Sequence, residues 1–195
     1  LLSRVERMHD LIDGVLQYSR VGRICEEQVD VDLNGLLAEA VDMVAAPEHI
    51  HIEIAEGLPT VHGERTRLLQ VFENLLSNAV KYMDKPEGRI HVTCQEDGEH
   101  WRLAVADNGP GIEQKHFEKI FQIFQTVHSG ESHDSTGVGL SLVKKIIEMY
   151  GGRTWVESQV GEGSTFYVTW PRRCDMPPGT LKGTAHDVLE PAADT

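Results

Sequence analysis

The chain has 195 residues, 40% of them hydrophobic, enough for one domain with appendages and a buried core, which argues against global disorder. Its 18 basic and 31 acidic side chains give a formal net charge of -13, which argues against nucleic acid as a partner, because phosphates need a basic surface. Any anionic ligand therefore needs a site built locally from backbone N–H groups, a few Lys or Arg, or a metal ion.

Cys25, Cys94 and Cys174 are scattered and form no CxxC pair, so neither a disulfide framework nor a zinc site is expected, and a reducing compartment fits. The histidines show no HExxH-like spacing. No run reaches the ~20 apolar residues of a membrane span, and no signal peptide is visible. The chain begins without Met and in mid-helix pattern, so we expect a piece of a longer protein.

In chain order, Leu1, Val5, Met8, Ile12, Val15 and Ser19 form a heptad seam, which predicts a coiled-coil-like helix needing a partner helix. A helix packed on its own domain gives the same pattern. Residues 25–32 read as a linker ending in a short strand at Val29–Val31. Leu33 to Val44 predicts a helix, with Pro47 beyond it. Ile50, Ile52 and Ile54 alternate as a strand, and Gly57 and Pro59 turn the chain before Val61. A long helix follows from about Glu64 to Met83, with an apolar stripe through Leu68, Phe72, Leu75, Leu76, Ala79 and Met83. Ile90, Val92 and Cys94, then Trp101, Leu103 and Val105, flank Asp97-Gly98 as a hairpin. A short helix is expected around Glu113 to Phe121, a polar stretch over Gln125 to Thr136, and a helix over Gly137 to Tyr150 stopped by Gly151-Gly152. Two last strands, Thr154–Ser158 and Thr165–Trp170, flank Gly161-Glu162-Gly163. The segment 174–195 reads as a loose tail. The sum is an α+β chain: a two-layer α/β sandwich whose mostly antiparallel, mixed sheet carries about three helices on one face.

Three stretches carry chemistry. Asn74, Asn78 and Lys81 sit at i, i+4 and i+7 and share one helix face with Gln70. Asn oxygens are hard, neutral ligands suited to Mg²⁺, and Lys neutralises phosphate; a solvated polar face gives the same pattern. Asp107-Asn108-Gly109-Pro110-Gly111-Ile112 follows a strand. Its glycines allow close approach of a flat ligand, and a carboxylate there can accept from the exocyclic amine of adenine while repelling the carbonyl of guanine. A plain Asp-Asn-Gly turn is the ordinary alternative. Ser135-Thr136-Gly137-Val138-Gly139-Leu140 opens a helix whose N-terminal N–H groups and dipole suit phosphate. The spacing fits neither GxxxxGK[ST] nor GxGxxG. Gly161 to Phe166 reads as a hairpin turn, and Phe117, Phe121 and Phe124 as core.

In that order and spacing, these stretches resemble the histidine-kinase branch of the gyrase, chaperone and mismatch-repair ATPase superfamily, with its Bergerat nucleotide fold. The run Glu73 to Tyr82 resembles its N box, Asp107 to Ile112 its G1 box, and Phe117 to Phe124 its F box. Thr136 to Leu140 resembles G2, and Gly161 to Phe166 resembles G3. Residues 7–23 resemble the end of the second dimerisation helix, in the flavour of phytochrome-like sensor kinases. The resemblance implies ATP and Mg²⁺ as ligands. It implies Asn78 on the metal with Asn74 assisting, Lys81 on phosphate and Tyr82 against the nucleotide. It implies Asp107 on the adenine amine, with Gly109, Gly111 and Ile112 around it. Thr136, Gly137, Val138, Gly139 and Leu140 would meet the phosphates, Thr165 would join the site from G3, and Gln125 to Ser135 would form a mobile lid.

The implied organisation is a dimerisation-helix end over 1–24, a linker over 25–32, a catalytic domain over 33–173 and a tail over 174–195. The implied partners are a response-regulator receiver domain and a second copy through the dimerisation helix. Cytoplasmic placement follows, with no membrane contact by this chain and no nucleic acid. Ser135 stands where the family often has Gly, and Ile123 where it often has Pro. The acceptor box, a His-Glu-Leu-Arg-like string, is absent, and His9 lies at a position the family leaves variable. The chain is therefore expected to bind ATP without phosphorylating itself. Hydrolysing clamps of the gyrase or chaperone type carry a Glu one turn before the metal-binding Asn. Here Asn74 stands there, with Glu73 beside it, which disfavours hydrolysis. A docking module derived from this fold is the remaining alternative.

Overall fold

The computed structural model describes residues 2–22, 26–125 and 136–172, leaving aside the side chains of 2–7 and 10. Cys25, Cys174, most of the expected lid and the expected tail lie outside the described residues.

Helix α1 spans Leu2–Arg20, strand β1 Val29–Asp32 and helix α2 Leu33–Val44. Asp32 starts α2 by accepting from the backbone N–H groups of Asn34 (3.1 Å) and Gly35 (3.3 Å), satisfying donors that the first turn cannot pair internally. Strands β2 (Ile50–Ile54) and β3 (Thr60–Gly63) precede helix α3, Arg65–Lys81. Strands β4 (Gly88–Asp97) and β5 (His100–Asp107) form the expected hairpin. Helix α4 covers Gly139–Met149, followed by β6 (Thr154–Gln159) and β7 (Gly163–Pro171).

The main sheet has the order β2-β4-β5-β7-β6, with β2 parallel to β4 and every other pair antiparallel. Separately, β1 and β3 form a two-stranded antiparallel sheet, a pairing that the sequence did not reveal. One face of the main sheet is apolar because side chains alternate along a strand. Ile90, Val92, Leu103, Val105, Val156, Phe166, Val168 and Trp170 are buried, and the pairs Val92–Val105, Val105–Phe166 and Leu103–Val168 stand side by side. Against that face lie Leu33, Leu36 and Leu37 of α2, Phe72, Leu75 and Leu76 of α3, and Leu142, Val143, Ile146 and Ile147 of α4, all buried. Each such side chain contributes roughly 1.5–3 kcal/mol by leaving water. Trp170 is fully buried, and its Nε1 donates to the His62 carbonyl at 3.0 Å, tying β7 to β3.

Two expectations change. The short helix around Glu113–Phe121 is a pair of 3₁₀ turns, Gln114–His116 and Lys119–Phe121. Bonds from His116 N to Glu113 O and from Gln122 N to Lys119 O span only three residues, the tighter pattern that short connectors adopt. Of the aromatic box, Phe121 packs edge-on against Phe166, with centroids 6.5 Å apart. Phe124 instead is 54% exposed, at φ +66°.

Helix α1 lies on the domain through Tyr18 and Val21. The Lys145 ammonium donates to the Tyr18 carbonyl at 2.6 Å and sits 4.1 Å above its ring. Met8, Ile12, Val15 and Leu16 point away, with Met8 63% exposed, so the described part of the heptad seam faces solvent.

Candidate functional site

A cleft of about 470 Å³ opens between α3, the start of α4 and the ends of β5 and β7, a size that suits a small ligand. Its wall brings together Asn74, Asn78, Lys81, Tyr82, Asp107, Gly111, Ile112, Thr136, Gly137, Val138, Gly139 and Leu140. These residues were singled out from three separated stretches of sequence, and the fold places them around one space.

Asp107 ends β5. Burial pushes its carboxyl above the usual carboxylate range; backbone hydrogen bonds from Gly109 and Ser164 pull it back, and the nearby Asp84 charge raises it again. The Gly109 N–H reaches Asp107 Oδ1 at 2.8 Å. Gly109 thus stands behind the carboxylate and is not part of the wall. The turn after it is locked against the last hairpin: Gly161 N donates to Pro110 O at 2.7 Å and Ile112 N to Ser158 Oγ at 2.8 Å. Gly111 has φ +72°, and a Cβ there would lie 2.1 Å from the Gln159 carbonyl oxygen. Gly163 has φ +120°, and its Cβ would lie 2.0 Å from the Asp107 carbonyl oxygen. Only glycine fits either place. The Gly161-Glu162-Gly163 turn is therefore the support behind Asp107. Asn108 clamps the start of β4, accepting from Arg89 N at 2.7 Å and donating to Glu87 O at 3.0 Å.

At the other end, Asn74 Nδ2 donates to the Gln70 carbonyl at 2.7 Å. Its Oδ1 faces Gly139, where a Cβ would come within 2.7 Å of it. Helix α4 begins at Gly139, and Val138 supplies no side-chain cap. Its first turn thus presents N–H groups at the positive end of the helix dipole toward the cleft. Gly137, at φ +66°, lets the chain press against Phe124 and Gln125, with Phe124 N donating to Gly137 O at 2.9 Å. An anionic chain lying between this helix start and Lys81 meets charge of the right sign. Two carboxamide oxygens on the same wall fit a hard divalent cation, whereas no cluster of three His, Cys, Asp or Glu exists among the described residues.

Thr165 does not line the cleft. It pairs with Ala106, one residue out of phase with Ser164 and Phe166, which do line it, so it stands on the opposite face of the sheet. Sequence reasoning missed Ser164, Phe166, Leu142 and Ile120 on the wall. It also missed Asp13, Gly14 and Gln17 of α1. Ser164 and Phe166 were readable from strand parity once Asp107 was placed; nothing in the sequence pointed to the α1 residues.

Residues 63–173 match the family described as histidine kinase-, DNA gyrase B- and HSP90-like ATPase. Cyanobacterial phytochrome B of Nostoc sp. (strain PCC 7120) is 41% identical over 174 residues, covering 87% of this chain and 23% of that protein. The chain thus spans about a quarter of that relative's length. Among solved structures, full-length ShkA in complex with AMPPNP superposes with a TM-score of 0.70 at 31% identity, covering 87% of this chain and 36% of that one. Histidine kinase ThkA in complex with the response regulator protein TrrA gives 0.66 at 26% identity, covering 89% and 50%. The chain belongs to the histidine kinase-, DNA gyrase B- and HSP90-like ATPase family, as an ATP-binding catalytic domain of the sensor histidine kinase kind.

Proposed function

We propose that the cleft binds ATP with Mg²⁺ and presents the γ-phosphoryl group to a histidine outside this chain. The observation that carries this reading is the pairing of a half-buried carboxylate at one end with an uncapped helix N-terminus at the other. Asp107 accepts from the adenine amine, and Tyr82, Ile112 and Gly111 shape the base pocket. Lys81 and the turn Thr136 to Leu140 hold the phosphates through charge and backbone N–H groups. Asn78 and Asn74 offer their oxygens to the metal, which would supply charge neutralisation on the polyphosphate. An imidazole nitrogen of the acceptor attacks the γ-phosphorus, and the bridging oxygen leaves with ADP. The domain's part is positioning and electrostatics. Glu73 does not line the cleft, so no carboxylate of α3 is placed to activate water, which supports transfer over hydrolysis.

In the whole protein, residues 1–24 would end a dimerisation helix that pairs with a second copy, 25–32 would link it to the catalytic domain at 33–173, and 174–195 would form a tail. A response-regulator receiver domain is the proposed next acceptor, supported by the ThkA structure, which contains such a partner. Cytoplasmic placement is part of this proposal; no described helix is long and apolar enough to cross a membrane.

Calorimetric titration of ATP and GTP, each with Mg²⁺, into the chain and into Asp107→Asn tests this reading. ATP should bind at micromolar to millimolar Kd, GTP at least about tenfold more weakly, and the variant should lose ATP affinity. Absence of ATP binding to the unmodified chain would leave only a docking role.

A further inference from the structure

Helix α1 does more than rest on the domain, because it closes part of the cleft at the α4 end. Gly14 abuts Val138 so closely that a Cβ there would lie 3.1 Å from Val138 Cγ2. Gln17 Oε1 accepts from Gln70 Nε2 at 3.4 Å, and Gln70 sits one turn before Asn74 on α3. The Lys145 contact with Tyr18 anchors the next turn. Asp13, immediately before Gly14, is thereby placed on the cleft wall together with Asn74, Asn78 and Lys81. Its side chain is 53% exposed, and its carboxylate contacts His9 Nδ1 on its own helix, at 3.2 Å.

We propose that Asp13 is a specificity-determining residue that biases the cleft toward metal-loaded nucleotide. This inference rests on the nucleotide reading above. Among the described residues the wall carries two carboxylates, Asp107 and Asp13, and they sit in different surroundings. Asp107 belongs to the end closed by the β5 and β7 backbone, where an uncharged base fits. Asp13 belongs to the end formed by Val138, Gly139 and the Asn78 face of α3, where the polyphosphate fits. There its negative charge opposes a bare triphosphate. A bound divalent cation neutralises part of that charge and gives the carboxylate an attractive partner, directly or through water. At a half-exposed position, like-charge repulsion of this kind is modest but measurable. Without Asp13, the Asn and Lys side chains and the α4 N-terminus would favour bare and chelated ATP more evenly.

The test is titration of ATP into the full chain at one ionic strength, once with excess Mg²⁺ and once with EDTA, giving a ratio of the two Kd values. Asp13→Asn should shrink the preference for the Mg²⁺ form by about threefold or more. Asp13→Glu should retain it. Asp42→Asn, which removes the same charge from an exposed position on α2 away from the cleft, should leave it unchanged. An unchanged ratio in Asp13→Asn, or an equal change in Asp42→Asn, overturns the proposal while the nucleotide reading stands. Failure of the unmodified chain to bind ATP under either condition overturns the nucleotide reading, and this inference with it.

Discussion

At the Asp107 end of the cleft the wall is largely main chain. The turn Asp107 to Ile112 is pinned to the hairpin Ser158 to Ser164 by a backbone bond from Gly161 to Pro110 and by the Ser158 hydroxyl, and Gly111 and Gly163 sit where any side chain would strike a carbonyl oxygen. At the Asn78 end the wall is the side chains of α3 and the turn that opens α4, with a third helix, α1, leaning in. The first end inherits its shape from the sheet, so it can place one carboxylate in a fixed, half-buried spot. The second end can adjust, since side chains and a helix docked by few contacts move at low cost. That difference suits a flat base at one end and a charged, metal-bearing chain at the other.

Matched substitutions at the two ends should therefore fail differently. Gly163→Ala forces a Cβ to within 2.0 Å of Asp107 O at φ +120°, and we expect a loss of about 3 kcal/mol or more in urea unfolding, with nucleotide binding lost alongside. Asn78→Ala should change stability by less than about 1 kcal/mol yet weaken Mg²⁺–ATP binding about tenfold. If Gly163→Ala unfolds like the unmodified chain, the backbone account of the Asp107 end is wrong.

A smaller effect sharpens the same contrast. Because burial raises the Asp107 pKa in the folded chain, the folded state binds its proton more tightly than the unfolded state does. Its contribution to stability is then present at low pH and lost as pH rises from the ordinary carboxylate range through the raised value. At neutral pH, nucleotide-free Asp107→Asn should accordingly melt slightly higher than the unmodified chain while binding ATP worse. A lower Tm would show that the carboxylate stabilises the empty fold. Smallest of all, Thr165→Val should leave ATP affinity within about twofold, because its side chain lies on the far face of the sheet. A larger loss would place Thr165 in the site after all.

Much of this was readable from local pattern. The stripe Leu68, Phe72, Leu75, Leu76 and Ala79 set α3, and its opposite face set Asn74, Asn78 and Lys81 toward the cleft. The glycines at 111 and 137 were recognisable as points of close backbone approach, and the fold adds that both take positive φ. What escaped depends on contacts between distant residues. The β1–β3 pairing joins residues about thirty apart, and nothing in either strand names its partner. The support that Gly163 gives Asp107 is set by strand register, as is the outward placement of Thr165. The 3₁₀ turns around Phe121 share their spacing with a short helix and differ only in where the chain must go next. Docking of α1 was hidden because its clearest signal, the heptad seam, lies on the face turned away from the cleft, while the docking face is marked only by Gly14.

The most direct test is a crystal structure of the chain with Mg²⁺ and a non-hydrolysable ATP analogue. The account predicts the adenine amine against the Asp107 carboxylate, with the phosphates between Asn78 and the Gly137–Gly139 turn. A nucleotide bound in the reverse sense, or outside this cleft, would contradict it.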